Sequence, residues 1–190
     1  MHTRADALRL LEEWVPNPAL RNHMKAVEAA VRFYARAFGE DEERWGLAGL
    51  LHDLDWERFP EEHPLRAVEH LRQNGWPEDL LHAVLAHRSD FTGIEPESRL
   101  DRALMACDEL TGLITATALV RPNGIDDLTS KSVKKKMKDP TFARGVDRDD
   151  VRRGPELLGI ELDTHISNVI EAMRGIAAEL GLTGRQVSGT

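Results

Sequence analysis

His52 and Asp53 stand side by side, an imidazole and a carboxylate, directly after the apolar residues Leu47, Ala48, Leu50 and Leu51. If that run is buried, the pair goes inward with it, and a carboxylate in low dielectric needs a cation or several donors beside it. Taken alone, the dipeptide equally suits a plain helix end, with His52 near the negative pole of the dipole and Asp53 in water. Two further groups bear on the choice. His23 shares a helical stripe with Leu20, Met24, Val27, Val31, Tyr34 and Phe38, and Asp108 shares one with Leu100, Leu104, Thr111 and Thr115. Two imidazoles and two carboxylates aimed at one interior suit a divalent first-row ion, Mn, Fe, Co, Ni or Zn, better than Ca. Such an ion also removes the desolvation penalty that makes Asp53 and Asp108 improbable as bare buried anions.

The elements that must position these groups are helices. Spacing of apolar residues predicts a short helix over residues 5–14, capped by Thr3 or Asp6, and a long one over 18–38 with Pro18 at its start and Gly39 beyond its end. A third, capped near Asp41, delivers His52 and Asp53 at its C-terminal end. A fourth opens near His63-Pro64 and stops at Gly75, with Leu65, Val68 and Leu71 as its apolar side. The fifth runs from Pro77 to His87 and turns Leu80, Val84 and His87 inward, whereas His70 and His82 fall on polar faces and read as solvated. After a loop over 92–98 comes a helix over 99–120, then short helices over 129–138 and 148–158, and a terminal one over 164–180. The expected organisation is a core over 1–120, a helical extension over 121–182 packed on it, and a frayed tail over 183–190.

The composition is that of an ordinary globule: 190 residues, 41% hydrophobic and 31% charged, which excludes a disordered chain. No charge-free stretch is long enough to cross a bilayer and no export signal leads the chain, so no membrane is expected. A single cysteine, Cys107, allows no internal disulfide and agrees with the cytoplasm. A net charge of −8 opposes nucleic-acid binding by the whole surface. The lysines at 131, 134, 135, 136 and 138 form one basic strip, read as a solvated face that could still attract an anion. Trp14, Trp45, Trp56 and Trp76 suit a core or an interface, and spacing leaves that choice and the oligomeric state open.

The order H…HD…D on helices, within Arg21-Asn22-His23-Met24, Gly49-Leu50-Leu51-His52-Asp53 and Ala106-Cys107-Asp108-Glu109, resembles the HD superfamily of metal-dependent phosphohydrolases over about residues 19–118. The stretch from Lys131, with Asp139-Pro140-Thr141-Phe142, is similar to a bacterial branch of predicted HD hydrolases. The resemblance implies an all-α, single-domain bundle with additional C-terminal helices, and His23, His52, Asp53 and Asp108 as ligands of one ion. In binuclear members, histidines between the pair and the last aspartate hold a second ion, which here implies His63 and His87 with Asp53 bridging. The cyclic-dinucleotide phosphodiesterases of the superfamily carry Gly-Lys after the pair and a later Gly-Tyr-Pro. Here Leu54-Asp55-Trp56 follows and the tripeptide is absent.

The expected activity is hydrolysis of a phosphate ester, in a small, nucleotide-like substrate, by water activated at one or two ions, with Mg a further candidate metal. Asp53 sits at the reacting centre in this reading. Asp55 serves as a proton acceptor for water or as a partner orienting a ligand histidine, and Arg88 adds positive charge for the phosphoryl oxygens. Glu57 reads as a solvated loop residue. Two alternatives keep the fold and change the function: a di-iron oxygenase, and a non-catalytic nucleotide-binding module.

Overall fold

The computed structural model describes residues 2–184. Its elements are helices: α1 (Arg4–Trp14), α2 (Pro18–Phe38), α3 (Glu42–Leu51), α4 (Leu65–Gln73), α5 (Glu78–Ala86), α6 (Ser89–Thr92), α7 (Arg99–Leu119), α8 (Ser130–Met137), α9 (Arg148–Leu158), α10 (Leu162–Arg174) and α11 (Ala177–Leu180). The caps explain most boundaries. Thr3 with Asp6, and Ser98 with Asp101, form reciprocal capping boxes at α1 and α7. Asn17 caps α2 ahead of Pro18, Gly39 ends it in a left-handed conformation, and Asp41 accepts the Arg44 N–H at the start of α3.

The two 21-residue helices α2 and α7 pack against each other and carry the rest. Helix α3 lies closest to α2, because Gly49 removes the side chain at the crossing. A Cβ there would stand 2.8 Å from both the Cα and the N of Glu28. Glu28 itself is buried and held by Arg4 at 2.6 Å and Arg32 at 3.0 Å, so its charge is compensated on both sides. Helix α5 packs on α3 and α7 and carries α4 on its outer side, while α8, α9 and α10 also pack on α7.

A second close crossing fixes α9 on α7. Gly154 lets the chains approach, since a Cβ there would stand 3.0 Å from the Ala106 carbonyl oxygen. Beside it, the Tyr34 hydroxyl donates to His165 Nδ1 at 2.6 Å and His165 Nε2–H donates to the Ala106 carbonyl at 2.9 Å. One imidazole from α10 thus bridges α2 and α7 in a site without water access. Burial lowers the His165 pKa to about 4, which keeps the ring neutral.

Several expectations need correction. Leu65 is exposed, because the helix starts there rather than at His63. The loop expected over 92–98 is preceded by the single turn α6. The terminal helix is broken at Gly175 into α10 and α11. Neither His70 nor His82 is free in water: His70 packs on Trp14 at 4.7 Å, and His82 bonds Asp101 at 2.9 Å. The start of the expected frayed tail is tied down, with Gly184 N–H donating to Asp126 at 3.1 Å, next to the bond from Ile125 N–H to Leu182 O at 2.9 Å. The remainder of that tail, 185–190, lies outside the described residues. Trp45 and Trp76 belong to the core, and Trp56 is 44% exposed. No helix among the described residues is long and apolar enough to cross a membrane.

Candidate metal centre

The side chains that could ligate an ion come from five places in the chain. His23 lies in the second turn of α2, Asp108 in the middle of α7, and His52 and His87 cap the C-terminal ends of α3 and α5. Asp53 follows His52, and His63 precedes α4. They converge. One ligand atom from each of His23, His52, Asp53 and Asp108 can be chosen so that all lie within 4.8 Å of one another, and the same holds for Asp53, His63 and His87. Asp53 belongs to both groups and turns a different oxygen to each: Oδ2 lies 3.3 Å from His52 Nε2, and Oδ1 lies 3.3 Å from His63 Nε2 and 3.6 Å from His87 Nε2.

The hydrogen bonds behind the rings decide which nitrogen each one offers. His52 Nδ1–H donates to the Gly49 carbonyl at 2.8 Å, and His87 Nδ1–H to the Val84 carbonyl at 2.5 Å. His63 Nδ1–H donates to Asp55 Oδ1 at 2.7 Å. The Thr111 hydroxyl donates to the Asp108 carbonyl at 2.8 Å, leaving its oxygen to accept His23 Nδ1–H at 3.4 Å. With Nδ1 protonated on every neutral ring, each Nε2 presents a lone pair inward.

Without a cation this arrangement is unfavourable. The Nε2 atoms of His63 and His87 face each other at 3.1 Å with a carboxylate oxygen beside them, and His52 Nε2, fully buried, has no hydrogen-bond partner. Donor atoms about 3 Å apart are what neighbouring ligands show when each lies about 2.1 Å from one first-row ion. The residues present therefore fit a metal ion.

The electrostatics agree. Burial alone would lower the His52 pKa, yet the charges of Asp53 and Asp108 outweigh it and hold the imidazole well above its ordinary value. Burial would raise both carboxylates, yet His52 and its neighbours keep Asp53 and Asp108 well below the usual range. At His87 burial prevails, and the pKa is lowered. The two carboxylates thus call for positive charge, which a proton supplies to one ring and a divalent ion to the whole group.

His23, Asp53, His63, His87 and Asp108 line a cavity of about 840 Å³. Asp53 and Asp108 are 13% and 19% exposed because they form its floor, so they are less deeply buried than the helical pattern implied. Asp55 is not at this surface. It is fully buried behind His63, where Oδ1 accepts from the ring and Oδ2 accepts Ala67 N–H at 2.8 Å. It is a positioning residue for His63, and the expectation of a proton acceptor for water is corrected. Glu57 is exposed and accepts Asn17 N–H. Arg88 does line the cavity, but its guanidinium is held by Asp90 through two bonds of 3.0 and 3.2 Å. The lysine segment is elsewhere: Lys134 pairs with Asp163, and Lys136 lies over Phe142.

Six charged cavity residues went unrecognised in the sequence: Asp90 on α6, Glu95 in the loop after it, Glu109 on α7, and Asp147, Asp150 and Arg153 from the cap and first half of α9. Acidic residues opening a helix are ordinary capping chemistry, so nothing in their spacing marks them as part of a site. Glu109 accepts Asp147 N–H at 2.9 Å, and burial together with the Asp108 charge raises its pKa to about 7.

No curated protein matches the sequence. Residues 20–113 match the HD domain family, a span that opens just before His23, contains the His52-Asp53 pair and closes just after Asp108. With the ordered histidines and aspartates gathered by α2, α3 and α7 in an all-helical bundle, the chain belongs to the HD domain family.

Proposed function

We propose that the protein is a metal-dependent phosphohydrolase that cleaves a phosphate ester of a small molecule. The observation that carries this reading is the convergence of His23, Asp53, His63, His87 and Asp108 at the floor of an open cavity, around the buried His52, whose Nε2 makes no hydrogen bond. His23, His52, Asp53 and Asp108 would hold one divalent ion, Mn, Fe, Co, Ni, Zn or Mg, and Asp53, His63 and His87 a second. When bound, such ions lower the pKa of water and neutralise charge on phosphoryl oxygens.

The protein residues do the rest. Asp55, Gly49 and Val84 fix the tautomers of His63, His52 and His87, so the ligand nitrogens are oriented before any ion arrives. Asp53 spans both groups and sets their separation. Asp90 holds Arg88 in place at the cavity wall, where its charge faces Asp53 and Asp108 and can face a phosphoryl group. Trp56, edge-on to His63 at 5.1 Å, gives the cavity an apolar wall beside that ring.

The test is metal analysis of purified protein, followed by turnover of a broad phosphoester panel with each of Mn, Ni, Co and Mg. Hydrolysis that Asp53→Ala abolishes together with bound metal is the expected result. Inertness toward the panel in metal-replete protein refutes the reading. Iron retention with substrate-dependent oxygen uptake would instead identify an oxygenase.

A further inference from the structure

The cavity that ends on the metal centre has an unbalanced wall. Beyond the candidate ligands, the carboxylates of Asp90, Glu95, Glu109, Asp147 and Asp150 line it, against the two arginines Arg88 and Arg153. Both arginines are already paired inside the cavity: Arg88 with Asp90, and Arg153 with Glu95 at 3.4 Å. Glu109, Asp147 and Asp150 remain. Among the described residues no lysine or arginine forms an ion pair with any of them, and the lysine-rich helix α8 contributes nothing to this wall.

These three carboxylates belong together. Asp147 caps α9 through Oδ1 alone, accepting the N–H groups of Asp149 and Asp150, while its own N–H is tied to Glu109. They therefore share one side of the cavity, built jointly by α7 and the first turn of α9. They do not converge as metal ligands do. Among the described residues, only the His23-containing and His63-containing groups bring three ligand atoms within 4.8 Å of one another. A wall of separated, uncompensated carboxylates suits a diffuse or mobile organic cation rather than an inorganic ion. It also repels a polyanion, because the cavity offers no unpaired basic side chain to a second or third phosphate. A second feature marks the same cavity as a ligand site: His63 and His87, each with a side chain only 1% exposed, line it with Nε2 atoms that face each other at 3.1 Å beside Asp53.

Resting on the phosphohydrolase reading, we infer that the substrate is a phosphomonoester carrying a primary ammonium or comparable cationic group. Its phosphate lies at the metal centre, and its cation lies against Glu109, Asp147 and Asp150. The selectivity is supplied largely by α9, outside the span that matches the HD domain.

The experiment is calorimetric titration of manganese-loaded, full-length protein with 3-aminopropyl phosphate, propyl phosphate and ATP, alongside the Asp150→Asn variant. Asp150 is half-buried and the change is nearly isosteric, and the comparison among ligands on wild-type protein decides even if the variant fails to fold. The aminoalkyl ester is expected to bind about tenfold tighter than the alkyl ester, as one partly desolvated ion pair allows, and tighter than ATP. Asp150→Asn is expected to cut that preference for the aminoalkyl over the alkyl ester to about threefold. Equal affinities for the two esters, or tighter binding of ATP, overturn the inference and leave the hydrolase reading standing. An ammonium preference without turnover of the aminoalkyl ester sinks the hydrolase reading and leaves the cation subsite in place. Failure of metal-loaded protein to bind any of the three refutes both.

Discussion

Asp55 gives the sharpest test of how the centre is built, since it touches no solvent and has only two partners to lose. Its carboxylate accepts His63 Nδ1–H at 2.7 Å and Ala67 N–H at 2.8 Å, both in buried surroundings. Hydrogen bonds to a charged group contribute about 1.5–3 kcal/mol each, and truncation leaves two buried donors without acceptors, so Asp55→Ala should lose about 3–5 kcal/mol. Asp55→Asn keeps one acceptor oxygen and turns an NH₂ toward the other donor, and should lose about 2 kcal/mol. The variant also releases His63 from its fixed tautomer, which weakens a metal site by about 10–100-fold when a ligand's supporting acceptor is removed. That loss should fall on the group containing His63 and His87 and spare the one containing His23 and Asp108. Urea unfolding reads the stability, and metal titration against a competing chelator reads the two affinities. Asp55→Asn protein with a wild-type urea midpoint and unchanged affinity at both sites would refute the supporting role assigned to this residue.

Three other outcomes are expected. Gly49→Ala drives a Cβ to 2.8 Å from the backbone of Glu28 and should destabilise the protein by about 2 kcal/mol or more, while displacing His52; a wild-type melting temperature would contradict the close crossing of α3 on α2. His165 is neutral when folded, with its pKa lowered by burial from 6.5 to about 4, so between those values the unfolded chain takes up a proton that the folded one refuses; stability should be flat above pH 7 and fall by about 2 kcal/mol at pH 5 through this group, a slope that His165→Gln removes and that urea midpoints at the two pH values measure. Cys107, the single cysteine, is fully buried, so a disulfide reagent at pH 8 should leave native protein unmodified and label one thiol per chain after unfolding; prompt labelling of native protein would place that part of α7 at the surface.

The helices were readable wherever a local device marks them. Pro18 and Gly39 bound α2, Asp41 starts α3, and Arg148 to Leu158 forms α9 despite Pro155, since all of these depend on near neighbours in the chain. His23, His52 and Asp108 were readable as inward-facing for the same reason, as each sits in a helical stripe or at its end. What could not be read is what a residue meets across the fold. Asp55 could be read either as a proton acceptor or as the partner of a ligand histidine, because nothing in the sequence reveals that the segment between α3 and α4 folds back and places it behind His63. Glu28 gave no sign of being buried, because its compensation comes from Arg4 and Arg32 on either side of the chain. The wall formed by Glu109, Asp147 and Asp150 depends on α9 returning to α7, a contact set by Gly154, one turn beyond Asp150, and by His165 on α10.

The two halves of the centre are anchored differently. His23 and Asp108 project from the interiors of α2 and α7, where each backbone is held by helical bonds on both sides and by the packing of the other helix. His63 and His87 stand at helix ends, and their positions depend on single bonds to Asp55 and to the Val84 carbonyl. Packed helix interiors resist displacement, whereas helix ends are the first parts of a fold to open. His23 and Asp108 are therefore the stiff points of the first group, whereas His52, at the end of α3 with one bond to the Gly49 carbonyl, is held as His87 is, and Asp53 beside it joins the two groups.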